Sequence, residues 1–286
     1  MYKRISALCF VLLLGSSCTL TMDAWDGEAS YTNHVQSEAL ADDEALDARV
    51  TLNVGSLEVE PASKDQIYEV DLYFNELTFK PDIQFSRDQG KARLVVGLEG
   101  EGRSFSRMGD NVMNVRLNPD IPVDLETTTG VGESRLSLSG MMIRSLRLES
   151  GVGETEVAVL EPNRTDCRKV ELTSGVGALE VVGIGNFGFE EFTFRGGVGG
   201  SKLDFTGDWN RIGDVEIEVG VGGVEILVPR TLGLEVRVSK GLFSNVELPD
   251  FKKEGDTYYS ENIKEVTKVV KFRVRSGIGG VGFRWL

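Results

Sequence analysis

The sequence predicts an all-β protein. The class is a single-stranded β-helix (β-solenoid) with Gly-[Val/Ile]-Gly corners, preceded by a β-rich cap or small β-domain. Three observations lead there. First, one motif recurs: Gly130-Val131-Gly132, Gly151-Val152-Gly153, Gly175-Val176-Gly177, Gly197-Val198-Gly199, Gly220-Val221-Gly222 and Gly277-Ile278-Gly279. The first five copies are 21, 24, 22 and 23 residues apart, and the sixth follows after 57. A fixed period of this length marks stacked repeats. Second, apolar residues alternate with polar ones on both sides of each motif, as in Leu146 and Leu148 before it and Val157 and Val159 after it. Period two puts one face inward and one in water. Third, the inward positions favour β-branched and aromatic side chains, which suit strands. A β-sandwich with evenly spaced hairpins is the competing architecture. Recurrence of one tripeptide in one phase favours the coil, because hairpins do not require it.

Residues 1–18 read as an export signal, with Lys3 and Arg4 before the apolar run Ile5–Leu14 and the small residues Gly15-Ser16-Ser17. The run is too short to span a bilayer as a helix. Cys18 directly after small residues resembles a bacterial lipoprotein cleavage site, and is the expected lipidation site. Gly15 stands where that pattern has leucine. Residues 19–47 are acidic and poor in large apolar residues, which reads as a linker. His34, the chain's one histidine, falls in it.

Residues 48–125 read as an N-terminal β-domain or cap. Val50, Leu52 and Val54, then Leu57 and Val59 after Gly55-Ser56, look like a degenerate copy of the repeat. Gln89-Gly90 between Phe85 and Leu94 suggests a hairpin, and Asn118-Pro119-Asp120 a turn. Residues 126–286 are the expected solenoid. Its glycine pairs mark sharp bends, with the central valine or isoleucine expected to fill the corner from inside. A second bend is expected near Ser139-Gly140, Glu161-Pro162-Asn163, Gly183, Gly207-Asp208 and Pro229. The stretch 229–269 interrupts the period as a degenerate turn plus an excursion. The last glycine motif and Trp285 then close the end.

Chemistry is sparse. A single histidine removes most metal sites, triads and general-base schemes. The net charge of −14, from 45 Asp+Glu against 31 Lys+Arg, argues against a nucleic-acid partner. Gly183-Ile184-Gly185-Asn186-Phe187-Gly188 superficially matches a dinucleotide fingerprint, but it sits between strands of a repeat. Glu133 and Glu154 follow corner glycines in adjacent turns and could stack on one edge. Asp204, Asp208 and Asp214 near Trp209 could hold a sugar or calcium, or simply form a solvated loop. The candidate binding patch is Trp209, Asp208, Tyr258 and Tyr259. Cys167 stands alone in the mature chain apart from Cys18. No catalytic residue, cofactor or metal site is expected.

The strings SGVGALEV, GGVGGSKLDF and VGVGGVEILVP resemble the "toast rack" β-solenoid domains of bacterial envelope proteins. These include the adhesin type and the C-terminal domain of LiaF-like proteins. The resemblance centres on 126–286, with a toast-rack N-terminal domain over 48–125. It implies an envelope location, with roles in adhesion, stress sensing or negative regulation of a histidine kinase, and it supplies no catalytic residues. The expected partners are an envelope protein or surface glycan, with the membrane reached through lipid on Cys18. The alternatives are a carbohydrate-active β-helix or a purely structural assembly subunit.

Overall fold

A computed structural model describes residues 29–100 and 111–286. The expected export signal, the expected lipidation site Cys18 and the first part of the acidic stretch lie outside the described residues. In chain order the strands are β1 (Tyr31–Ala39), β2 (Ala45–Pro61), β3 (Gln66–Asn75), β4 (Phe79–Asp88), β5 (Lys91–Gly100), β6 (Val112–Leu117), β7 (Pro122–Ser137) and β8 (Met142–Ala158). They continue with β9 (Cys167–Val182), β10 (Phe189–Asp204), β11 (Asp214–Val228), β12 (Leu232–Glu247), β13 (Phe251–Glu254), β14 (Thr257–Ser260) and β15 (Lys268–Trp285). All belong to one open sheet. The architecture is the β-solenoid.

Eight long strands make the stack, hydrogen-bonded in parallel in the order β2-β7-β8-β9-β10-β11-β15-β12. Each rung places its apolar residues in register with the next. Leu125, Leu146, Val170, Phe192, Val215, Phe272 and Val236 form one buried column. Leu136, Val157, Val181, Leu203, Ile226 and Phe283 form a second, from the strand halves after the corner. Burying each such side chain contributes about 1.5–3 kcal/mol, which no single rung could obtain alone.

The corners confirm the glycines and correct the valines. Gly153 has φ +142°, and a Cβ there would lie 1.8 Å from the carbonyl oxygen of Gly132. Rung spacing at the bend is therefore backbone against backbone. The residue between the glycines points outward. Val152, Val176, Val198, Val221 and Ile278 are 47, 49, 50, 44 and 52% exposed. The inside of the bend is filled instead by small polar residues, such as Thr129, Ser134, Ser150, Thr155 and Ser174. Thr129 and Ser134 share a 2.6 Å hydrogen bond there. The inward phase runs on even positions up to Ser150 and on odd positions from Thr155, so it reverses across the bend and Val152 lies on the outward side.

The second bends fall where expected, between successive rungs. Gly140 and Gly183 adopt φ +75° and +79°. Asparagines hold these turns. The Asn163 amide donates to the carbonyls of Ile143, Thr165 and Phe187, and that of Asn186 to Val159.

At the N-terminal end, β2 is the first rung, as its sequence suggests, with Gly55 at φ +133° facing Gly132. The boundary at 125/126 does not divide the structure: it falls inside β7, which pairs directly with β2. Beyond β2, one rung is split. β5 pairs with Ala45–Thr51 and β6 with Ser56–Pro61. The β4–β5 hairpin turns at Gln89-Gly90, both at positive φ (47° and 78°), as a two-residue loop demands. β3 pairs with β6, and β1 with β3. The linker reading of 19–47 is thus corrected from Tyr31 on. β1 carries no apolar alternation and is held by its backbone ladder to β3.

At the C-terminal end, the rung order departs from the chain order. β15, which carries the last glycine motif, lies between β11 and β12, paired with both over Lys271–Gly282. The closing rung is β12, from the stretch read as an interruption. The β13–β14 hairpin covers part of its edge at Glu235–Arg237. Trp285 does not cover the last edge. It stacks on Phe251 at 5.7 Å and donates its indole N–H to the Pro249 carbonyl, pinning the hairpin.

Candidate functional site

The structure takes the expected binding patch apart. Trp209 is 2% exposed, seated against Phe189 and Phe205, with its indole N–H donated to the Phe205 carbonyl at 2.8 Å. It is a core residue at φ +50°, turned inward by the loop between β10 and β11. Gly185 makes this possible, because a Cβ there would lie 2.3 Å from the Trp209 indole nitrogen. Thus the fingerprint-like glycines serve two turns (Gly183 and Gly188, both at positive φ) and one packing contact. Asp208 is exposed; its N–H donates to Asn186 and its carbonyl accepts from Lys268. Tyr258 and Tyr259 are half-buried on β14. In the sheet, β15 and β12 intervene between β11 and β14. The four residues do not form one surface.

The three aspartates also separate. Asp204 accepts the Thr206 N–H in a local turn, and Asp214 pairs with Arg273 at 2.9 Å. Among the described residues no group of three or more His, Cys, Asp or Glu is placed to hold a metal ion. Glu133 and Glu154 do stand opposite each other on adjacent rungs. They border a shallow groove with Glu58, Glu156 and Arg135, where Arg135 pairs with Glu156 at 3.2 Å. Cys167 is fully buried, and burial pushes its thiol up to about 12, so it is inert and out of reach of an external thiol.

What the structure brings together is a charged face on the strand halves before the corner. Arg49, Glu126, Arg147, Glu171, Thr193, Glu216, Arg273 and Arg237 stand in one line across the eight rungs. Ion pairs run along it, Arg49–Glu126 at 2.9 Å and Arg147–Glu171 at 3.7 Å. Beside it lies an open groove bordered by Asp47, Asp124, Arg168 and Lys169. Asp124 is its hub, accepting from Arg144, from Ser145 at 2.5 Å and from Arg168 at 3.3 Å. Partial burial opposes ionisation of Asp124. The hydrogen bonds from Arg144 and Ser145, with Arg168 nearby, outweigh it and hold the carboxyl below the usual range. Sequence reading missed this hub. The available signal was spacing: Arg144 and Arg168 lie 20 and 44 residues after Asp124, one and two rungs on. The face offers a polar, mixed-charge contact surface.

With the fold and this face in hand, the class is clear. The chain belongs to the family described as the N-terminal domain of toast_rack, DUF2154, which matches residues 25–182, more than half of the chain. That span takes in the capping strands and the rungs β2, β7, β8 and β9. It reaches further toward the N-terminus than the sequence resemblance centred on 126–286. Among solved structures, a candidate cell adhesion protein from Clostridium sporogenes is 17% identical, with 90% of this chain and 100% of that chain covered and a TM-score of 0.51. A candidate adhesin from Bacteroides fragilis is 9% identical, covering 88% and 97%, at a TM-score of 0.37. The first likeness shows the fold. No curated protein matches the sequence. Among the described residues, no helix is long and apolar enough to cross a membrane.

Proposed function

We propose that this chain is a non-enzymatic cell-envelope protein with a binding or scaffold role, exported and held at the membrane by lipid on Cys18. One observation carries the reading: the residues with chemical potential already hold the fold together. Trp209 fills the core, Asp204 closes a turn, and Asp214 and Asp124 are ion-paired. What remains outward is a regular, charged stack of eight rungs, about 35 Å long at the usual strand spacing. A rigid surface of that kind suits contact with an envelope protein or surface glycan. Adhesion and envelope-stress response are the roles to test first, the former because the Clostridium sporogenes protein of the same fold is described in those terms.

The test is the mass and membrane partition of the mature protein from its native cell, followed by crosslinking in intact cells. A chain beginning at a diacylated or triacylated Cys18, retained with membranes and crosslinked to an envelope component, supports the reading. An unmodified chain in the soluble fraction overturns the anchor. Turnover of an envelope polysaccharide that is lost in Glu133→Gln or Glu154→Gln overturns the non-enzymatic role.

A further inference from the structure

We propose that β1 is the contact strand of a homodimer, in which two copies join their sheets edge to edge by antiparallel β1–β1 pairing centred on Val35. The pairing extends the scaffold role. Its test reads mass and amide exchange rather than location, so either idea can fail alone.

β1 ends the sheet, paired on one side with β3 from Tyr31↔Asn75 to Glu38↔Tyr68. Among the described residues no strand pairs with its other side. The hydrogen-bond phase follows from one contact: the Ser30 carbonyl accepts from the Glu76 N–H at 2.9 Å. In an antiparallel ladder this phase alternates. The even-numbered residues of β1 therefore face β3, and the backbone groups of Asn33, Val35 and Ser37 face the open side. The same stretch bears Val35, at 70% the most exposed large hydrophobic among the described residues.

An open edge invites pairing unless it is blunted by cations, proline, bulges or shortness. Other open edges among the described residues are blunted: β4 carries Lys80, Pro81 and Arg87, β13 is four residues long with Lys252 and Lys253, and the part of β12 beyond Arg237 is broken by a register shift between Lys240 and Phe243. β1 runs nine residues without lysine, arginine or proline. Its one charge, Glu38, is engaged by Arg87 at 2.8 Å.

The strand is also complementary to itself. Centring a two-fold axis on Val35 sets Val35 against Val35 of the second copy, Asn33 against Ser37, His34 against Gln36 and Thr32 against Glu38. No like charges meet, two exposed valines cover each other, and the outward groups of Asn33, Val35 and Ser37 fall in hydrogen-bonding pairs. Such a contact is isologous and closes at two copies.

Sedimentation velocity on the purified chain over a concentration series, with amide exchange at both ends of the series, tests the proposal. The expected result is a mass rising from one chain to two. Protection at Asn33, Val35 and Ser37 should increase roughly tenfold or more with it, while Thr32, His34 and Gln36 stay unchanged. Val35→Lys, which sets two ammonium groups across the axis, should restore the single-chain mass, with the thermal midpoint that the parent has at concentrations where it is a single chain. A single-chain mass throughout overturns the proposal, as does a dimer indifferent to Val35→Lys. Concentration-independent protection at Asn33, Val35 and Ser37 in a single-chain species also overturns it, and would show the edge covered from within the chain.

Discussion

The carbonyl oxygen of Gly132 lies where a Cβ on Gly153 would come within 1.8 Å of it. This contact repeats at Gly177, Gly199, Gly222 and Gly279, each against the glycine of its neighbouring rung. It sets how closely the corners can stack, and it makes the second glycine of each motif a backbone requirement.

Gly153→Ala should therefore destabilise the fold by at least about 2–3 kcal/mol, since it adds both a strained φ and a backbone collision. Gly200 is the control, because a Cβ there meets nothing within 4 Å. Gly200→Ala should stay within about 0.5 kcal/mol of the parent. Urea midpoints of the two variants decide the matter, and equal losses would remove the stacking argument.

Trp209→Ala should cost about 3–5 kcal/mol by opening a large cavity among Phe189 and Phe205. Gly185→Ala should act on the same site from the other side, pressing on the indole and costing about 1–3 kcal/mol. In a background carrying both Trp25→Phe and Trp285→Phe, a shift of tryptophan emission in Gly185→Ala would report the displaced ring. A Trp209→Ala variant as stable as the parent would return Trp209 to the surface.

Asp124 predicts a pH dependence. Its folded carboxyl is held below its usual value by Arg144 and Ser145. Its contribution is present above the unfolded pKa, about 3.9, and is lost as pH falls through the lower folded value. The stability difference between the parent and Asp124→Asn should be constant near neutrality and shrink below about pH 4. Denaturant unfolding across that range measures it. A difference that stays flat into acid would show that the hub adds nothing through charge.

The rung order predicts exchange rates. β15 is paired on both sides from Lys271 to Gly282, whereas β12 has its second partner only at Glu235–Arg237. Amides of β15 should exchange more slowly than those of β12, although β15 is nearer the chain end. The reverse order would restore the chain order as the stacking order.

Much of this fold was legible in particular residues. The glycine motifs gave the corners because only glycine tolerates both the positive φ and the 1.8 Å approach. Gln89-Gly90 gave its hairpin and Asn118-Pro119-Asp120 its turn, since turn chemistry is local. The candidate site was not legible. Trp209 beside three aspartates looks the same in sequence whether its loop turns inward or outward, and only the room left by Gly185 decides it. β1 has no apolar alternation to announce it, because a backbone ladder needs none.

By itself, then, the sequence determined the alternation, the corner and the approximate length of each rung. These depend on side-chain period and on backbone conformations that single residues permit or forbid. The tertiary structure alone decided which rung lies beside which, so that β15 enters between β11 and β12. It also decided that the corner valines face outward and that Asp124 meets Arg144 and Arg168. The physical reason is that parallel rungs are joined by backbone hydrogen bonds, which are the same for every rung. Neighbours are chosen by the summed fit of whole columns, and no local pattern records that sum.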